Sequence, residues 1–432
     1  MEFLAFLLNL ALFVAGFGAL IWAYLAFSPM TRDLVAFLSR DQQINIFKNR
    51  RIYWMAGIAC LGILFVRVIF GFADPAGGDA LSEGASVLGQ AHWFWLVPLL
   101  GGSVMIAFLY WAMYVPVVMA PPKAHRLVGR DEADEFLEPE SVVLGIERDG
   151  EVKAYPRDLI ARPHWFNDEL GGRPLMVSYC ILCNSGQAFV PVLENGQRLD
   201  LRNMTAFDNN TIYHCTRTGN FIQQLDGRVI RGPNEGEVLE SYPVVMARWD
   251  EWKRLHPDTQ VYFAPPHTFR DRFTQRMLMK MVPLSKLAAR DEPWHVVRKE
   301  IDPRLPAMSF VFGAEANGEY VAYPVVTMRE TPVVNDEVGG VPIVVLYDKE
   351  HDIGQVYRRK VGERTLTFEN ATGSDGESLV ARDSETGSTW SVSGHGLAGP
   401  LATERLEPAP HWNQLFWFSW AAFKPGTRVY GQ

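Results

Sequence analysis

Tyr155-Pro156, followed by Asn167-Asp168-Glu169, Gly171-Gly172 and Pro174, returns as Tyr323-Pro324, Asn335-Asp336-Glu337, Gly339-Gly340 and Pro342. Every pair is 168 positions apart. The same shift carries Trp252 to Trp420, Pro257 to Pro425, Thr259 to Thr427 and Tyr262 to Tyr430. Turn residues and aromatics in constant register are the signature of one folding unit used twice. The expectation is a β-rich α+β domain, duplicated with pseudo-two-fold repeats. The copies would occupy residues 141–266 and 308–432. They differ at Cys180, Cys183 and Cys215, which fall opposite Asp348, His351 and Asp383.

The chain has 432 residues, enough for two or three domains, and a formal net charge of −8. That balance speaks against nucleic acid as a partner, since such proteins present a basic face. Residues 1–119 contain three apolar runs, Phe3–Phe27, Tyr53–Ala73 and Trp93–Met119. Each reaches the roughly 20 residues that a helix needs to cross a bilayer. Trp22, Tyr24, Tyr53, Trp54, Trp93 and Trp95 lie near their ends, as interfacial anchors do. A basic n-region and a small-residue cleavage site are missing from the first run, so it reads as an anchor rather than a removed signal. A three-helix transmembrane region in a bacterial inner membrane is expected, with the lipid bilayer as partner and a membrane protein as a possible second one.

Loop charge sets the orientation. Arg32, Arg40, Lys48, Arg50 and Arg51 follow the first run, and Lys123, Arg126 and Arg130 follow the third, whereas Asp74–His92 has no Lys or Arg. Basic loops stay on the cytoplasmic side, which puts the repeats inside. A periplasmic placement is the alternative. Arg67, within the second run, is expected to snorkel to the outer interface, and Cys60 to be a packing residue.

Residues 120–140 read as an acidic, solvated tether. In residues 267–307, Arg270, Arg272, Arg276, Lys280, Lys286 and Arg290 alternate with Phe269, Phe273, Met277 and Met281. This suits a basic amphipathic connector, resting either on anionic headgroups or against a repeat. Met246–Leu255 has helical spacing, and Pro257 follows its end. The recurring Asn-Asp-Glu is expected to build a tight turn.

Cys180 and Cys183 are spaced so that both sulfurs can converge on one ion or form a disulfide. With His214 and Cys215 they would complete a Cys3His set, a common tetrahedral zinc environment that would equally accept copper(I). By the 168 register, Asp348, His351 and Asp383 would form a hard-ligand counterpart. A thiol–disulfide pair at Cys180 and Cys183 is the second reading, although the strand–turn–strand context differs from a thioredoxin motif, which opens a helix. The third is that these cysteines are plain buried residues. His164, His395 and His411 are isolated in sequence. No phosphate-cradling glycine loop, zinc-protease helix or nucleophile elbow occurs.

Tyr179-Cys180-Ile181-Leu182-Cys183-Asn184 resembles the bacterial family named only as domain of unknown function 3179, as do Asp383-Ser384-Glu385-Thr386-Gly387-Ser388-Thr389-Trp390 and Trp417-Phe418-Ser419-Trp420-Ala421-Ala422-Phe423. The resemblance covers Ser141–Gln432 but not the apolar runs. This chain has Ile181 where the family pattern has proline, and Cys215-Thr216-Arg217-Thr218-Gly219 where an Asp-x-x-Thr-Gly element is usual. Many relatives look secreted or lipid-anchored. The resemblance implies a fold and motif positions, and it names no substrate. The functions left open are metal binding by the first copy, a dithiol redox role, and a non-enzymatic docking module.

Overall fold

The computed structural model describes residues 2–28, 32–72, 81–120, 125–265, 268–281, 284–371, 379–409 and 411–432. Lys123, Trp93's side chain and parts of the tether, connector and second loop lie outside this description. The chain divides into two compact units, Met1–Val118 and Met119–Gln432.

In the first unit, three helices are long and apolar enough to cross a membrane: α1 (Glu2–Leu25), α2 (Arg40–Phe72) and α3 (Leu81–Met113). Two of them begin earlier than the apolar runs suggest. Ser39 accepts from the Gln42 amide at 3.2 Å and the Gln42 side chain accepts from the Ser39 amide at 2.7 Å. This capping box starts α2 at Arg40, so the basic connection expected at Arg40–Arg51 is helical. The third helix likewise runs back to Leu81, through much of what reads as a loop. Gly16 and Gly57 let α1 and α2 approach closely, since a Cβ on Gly16 would stand 2.6 Å from Leu61. Arg67, expected to snorkel, also has a partner within the unit: its Nε donates to Asn9 Oδ1 on α1 at 2.9 Å.

The second unit is β-rich. One sheet orders the strands Arg126–Val128, Gln260–Phe263, Glu151–Pro156, Val142–Arg148 and Val245–Arg248; another orders Arg428–Val429, Glu319–Pro324, Phe310–Ala316 and His411–Phe416. Register follows suit. Val143 pairs with Pro156 and Val311 with Pro324, both antiparallel, while Val261 lies parallel to Ala154 and Val429 to Ala322. The helices Trp249–Leu255 and Trp417–Phe423 cover these sheets. Trp252 Nε1 donates to Thr259 Oγ1 at 3.0 Å and Trp420 Nε1 to Thr427 Oγ1 at 2.9 Å. Gly145 and Gly313 leave room for the two indoles, since a Cβ would meet the rings at 2.1 and 2.3 Å.

Asn-Asp-Glu lies in strands, Trp165–Leu170 and Val333–Val338, and the turns fall at the following Gly-Gly pairs. Asp168 accepts from buried Tyr155 at 2.9 Å, and Asp336 from Tyr323 at 2.8 Å. The carboxylates thus serve as partners for buried phenols, which need one. Residues 120–140 are no free tether either. Arg126–Val128 joins the first sheet, and Asp134 accepts from Trp249 Nε1 at 2.6 Å and pairs with Lys253 at 2.8 Å. The helix expected over Met246–Leu255 starts at Trp249, after the Val245–Arg248 strand. In the connector, the helix Phe269–Met281 leaves Arg272, Arg276 and Lys280 exposed and is tied back by Arg162–Asp271 at 3.1 Å.

Candidate functional site: a buried dithiol

Strands Arg173–Cys180 and Ser185–Phe189 form a hairpin in which Cys180 faces Ser185 across the ladder. Ile181-Leu182-Cys183-Asn184 closes it. Asn184 takes a left-handed conformation, φ 55°, which asparagine tolerates better than most residues. Its side chain holds the loop on both sides, accepting from Tyr179 Oη at 2.5 Å and donating to the Gln414 carbonyl at 2.6 Å. Both cysteines are fully buried free thiols.

Their surroundings are polar. Cys183 Sγ lies 3.0 Å from Ser185 Oγ and accepts from Asn210 Nδ2 at 3.2 Å. Thr211 Oγ1 donates to Cys180 Sγ at 3.5 Å. Gln224 ties this shell together: its Oε1 accepts from Ser185 Oγ at 2.8 Å and Asn210 Nδ2 at 2.7 Å, and its Nε2 donates to Ser178 Oγ at 3.1 Å. The connector roofs the site, because Asn209, whose carbonyl lies 3.6 Å from Cys180 Sγ, exchanges two hydrogen bonds with the His295 backbone.

Burial pushes both thiols up. For Cys180 this is outweighed by the Cys183 thiol, the His164 imidazole and the Thr211 hydroxyl, so the net shift is downward, to about 5. Cys183 moves well up, through burial and then through Cys180 itself. The two thiols titrate as a pair, with the proton held more tightly on Cys183 than on Cys180.

The other proposed ligands stand elsewhere. Thr211 is the residue of the Asn210–Cys215 strand that meets Cys180, and Cys215 lies four residues further along, about 13 Å by strand rise. Cys215 packs with Trp165, Leu201 and Tyr213 instead. His214 points to the opposite face of that strand, as neighbours in a strand must, with its ring 4.5 Å from that of Phe221. In the counterpart set, Asp348 Oδ2 and His351 Nδ1 meet at 2.5 Å. Asp383 caps its own turn, accepting from the Thr386 amide at 2.6 Å and from Trp390 Nε1 at 3.0 Å. Sequence reading missed Asn210, Thr211 and Ser185, whose signal was polar residues at buried strand positions, and Gln224, which opens the turn after the Phe221–Gln223 strand. It also missed Glu147, His256 and His395, the one trio of ligand-type side chains that converges among the described residues.

A family model described as a protein of unknown function, DUF3179, matches residues 115–427. The chain belongs to the DUF3179 family. No curated protein and no solved structure matches it. Both the dithiol hairpin and the Asp383–Trp390 turn fall inside the DUF3179 region, and the three apolar helices precede it.

Proposed function

We propose that this DUF3179 protein is a membrane-anchored thiol–disulfide protein. Cys180 would be its nucleophile and Cys183 its resolving partner, set in the first of two copies of one β-rich unit. The observation that carries this reading is the convergence of Asn210, Thr211 and Ser185 on two sulfurs inside a closed core. Cysteines that only fill space need no such donors. A tetrahedral metal centre is less well served, because only two of the four expected ligands meet. In exchange with a small disulfide, the Cys180 thiolate attacks one sulfur and expels the other as a thiolate, which takes up a proton. Cys183 then gives up its proton and attacks Cys180 Sγ, expelling the other half of the small disulfide as a thiolate that takes up this proton. Two electrons pass to the partner, one proton comes from Cys183 and the other from solvent, and an internal disulfide remains. The outer face of the Ile181–Asn184 loop lines a cavity of about 500 Å³, an approach for a small partner once the loop shifts.

The test uses purified full-length protein, equilibrated in glutathione buffers and alkylated for mass measurement. Oxidation should protect two thiols in the wild type and in Cys215→Ser. Cys183→Ser should trap a mixed disulfide on Cys180. Thiols that stay reduced at every poise, or stoichiometric zinc or copper that Cys183→Ser releases, would sink the proposal.

Duplication is supported by the 168 shift, which relates strand boundaries, ladder registers and the tryptophan–threonine bonds alike. For orientation, the basic residues after the first and third spans favour a cytoplasmic soluble unit in a bacterial inner membrane. A reporter that is active only in the periplasm, fused after Gln432, should stay silent. Strong activity there would reverse the placement.

A further inference from the structure

Glu147, His256 and His395 bring one ligand atom each to within 4.8 Å of one another. Glu147 comes from the Val142–Arg148 strand, His256 from the end of the Trp249–Leu255 helix, and His395 from the turn before Gly396–Ala398. They border a cavity of about 380 Å³. Both ring nitrogens of His395 are buried, and among the described residues neither has a hydrogen-bond partner of normal geometry, an arrangement that costs free energy unless something else binds there. His256 packs in a tilted contact on Trp252, ring centroids 4.0 Å apart.

The positions 168 away supply an independent observation. Glu147 corresponds to Glu315, His256 to Lys424, and His395 to Gly227. Lys424 Nζ sits on Glu315 Oε2 as a built-in cation. Beside Glu147 that ammonium is replaced by the imidazole of His256, and His395 of the second copy adds another imidazole, whereas its counterpart Gly227 of the first copy brings no side chain to Glu315 and Lys424. The carboxylate meets the guanidinium of Arg405 instead.

The geometry points to a divalent transition-metal site made by Glu147, His256 and His395, with the ion taking the place that Lys424 holds in the other half. Two imidazoles and a carboxylate suit zinc and its neighbours, and three protein ligands leave a coordination position open. Arg405, released from Glu147, would face an anionic ligand there. This site is separate from the dithiol and does not depend on it.

Cobalt(II) is the probe, titrated into chelator-stripped full-length protein in detergent. One ion per chain should bind, with visible ligand-field bands and no thiolate charge-transfer band. Glu147→Gln, at an exposed position that folding tolerates, and His395→Ala should each weaken binding at least tenfold. Cys183→Ser should leave it unchanged, and Arg405→Gln should strengthen it by removing the competing cation. The site is refuted if folded wild type takes up no cobalt at millimolar concentration. It is equally refuted if uptake survives both ligand substitutions or disappears in Cys183→Ser.

Discussion

Trp252→Ala and Trp420→Ala are each expected to destabilise the soluble unit by about 3–5 kcal/mol, the cost of removing a buried indole and leaving a cavity. Trp252 is 2% exposed and Trp420 0%. Each ring fills the space over a glycine, Gly145 or Gly313, and each indole N–H satisfies a threonine hydroxyl. Loss of that donor adds about 1 kcal/mol. The two rings belong to clusters that share no residue, so their effects should add. The sum approaches the total stability of a typical domain, and the double variant should fail to fold. Urea unfolding followed by tryptophan-independent circular dichroism reads the effect. A silent result at one position and a large one at the other would count against treating the halves as equivalents.

Part of this architecture is plain in the sequence. Three apolar runs announce three long helices, because each reaches the length that a helix needs to cross a bilayer. Their starts are less legible, since Ser39 and Gln42 extend α2 through polar residues by capping rather than by hydrophobicity. Asn-Asp-Glu looks like turn chemistry because asparagine and aspartate favour turns. In the fold its aspartate instead serves a phenol on a strand of another sheet, a partner that no local pattern reveals. The dithiol was readable at Cys180 and Cys183, where spacing alone makes neighbours. It was not readable at Cys215, because strand register selects Thr211 as the residue that meets Cys180. Glu147, His256 and His395 converge from both halves of the unit. Each is unremarkable in its own segment, and only tertiary packing makes them a trio.

Glu251→Gln should stabilise the protein in alkaline solution and leave it nearly unchanged in acid. Glu251 lies in the Trp249–Leu255 helix, 8% exposed, and its Oε1 has no hydrogen-bond partner among the described residues. Burial raises its carboxyl to about 7; the nearby Ser393 hydroxyl and Arg254 charge pull the other way, and Asp348 and Asp250 add to the rise. An unfolded glutamate titrates near 4.5, so between these values the folded protein binds a proton that the unfolded chain has lost. The stability tied to that proton is fully present below about pH 4.5 and disappears as pH rises through about 7. Two to three pKa units correspond to about 3 kcal/mol. Glutamine reproduces the shape of the protonated acid and cannot ionise. At pH 8.5 the variant should therefore exceed wild type by about 3 kcal/mol, and at pH 4.5 the two should agree within about 1 kcal/mol. All other titrating groups are common to both proteins and cancel in the difference. Urea midpoints at the two pH values measure it, and a gap that stays constant with pH would mean that Glu251 is ionised throughout and finds its counter-charge in the fold.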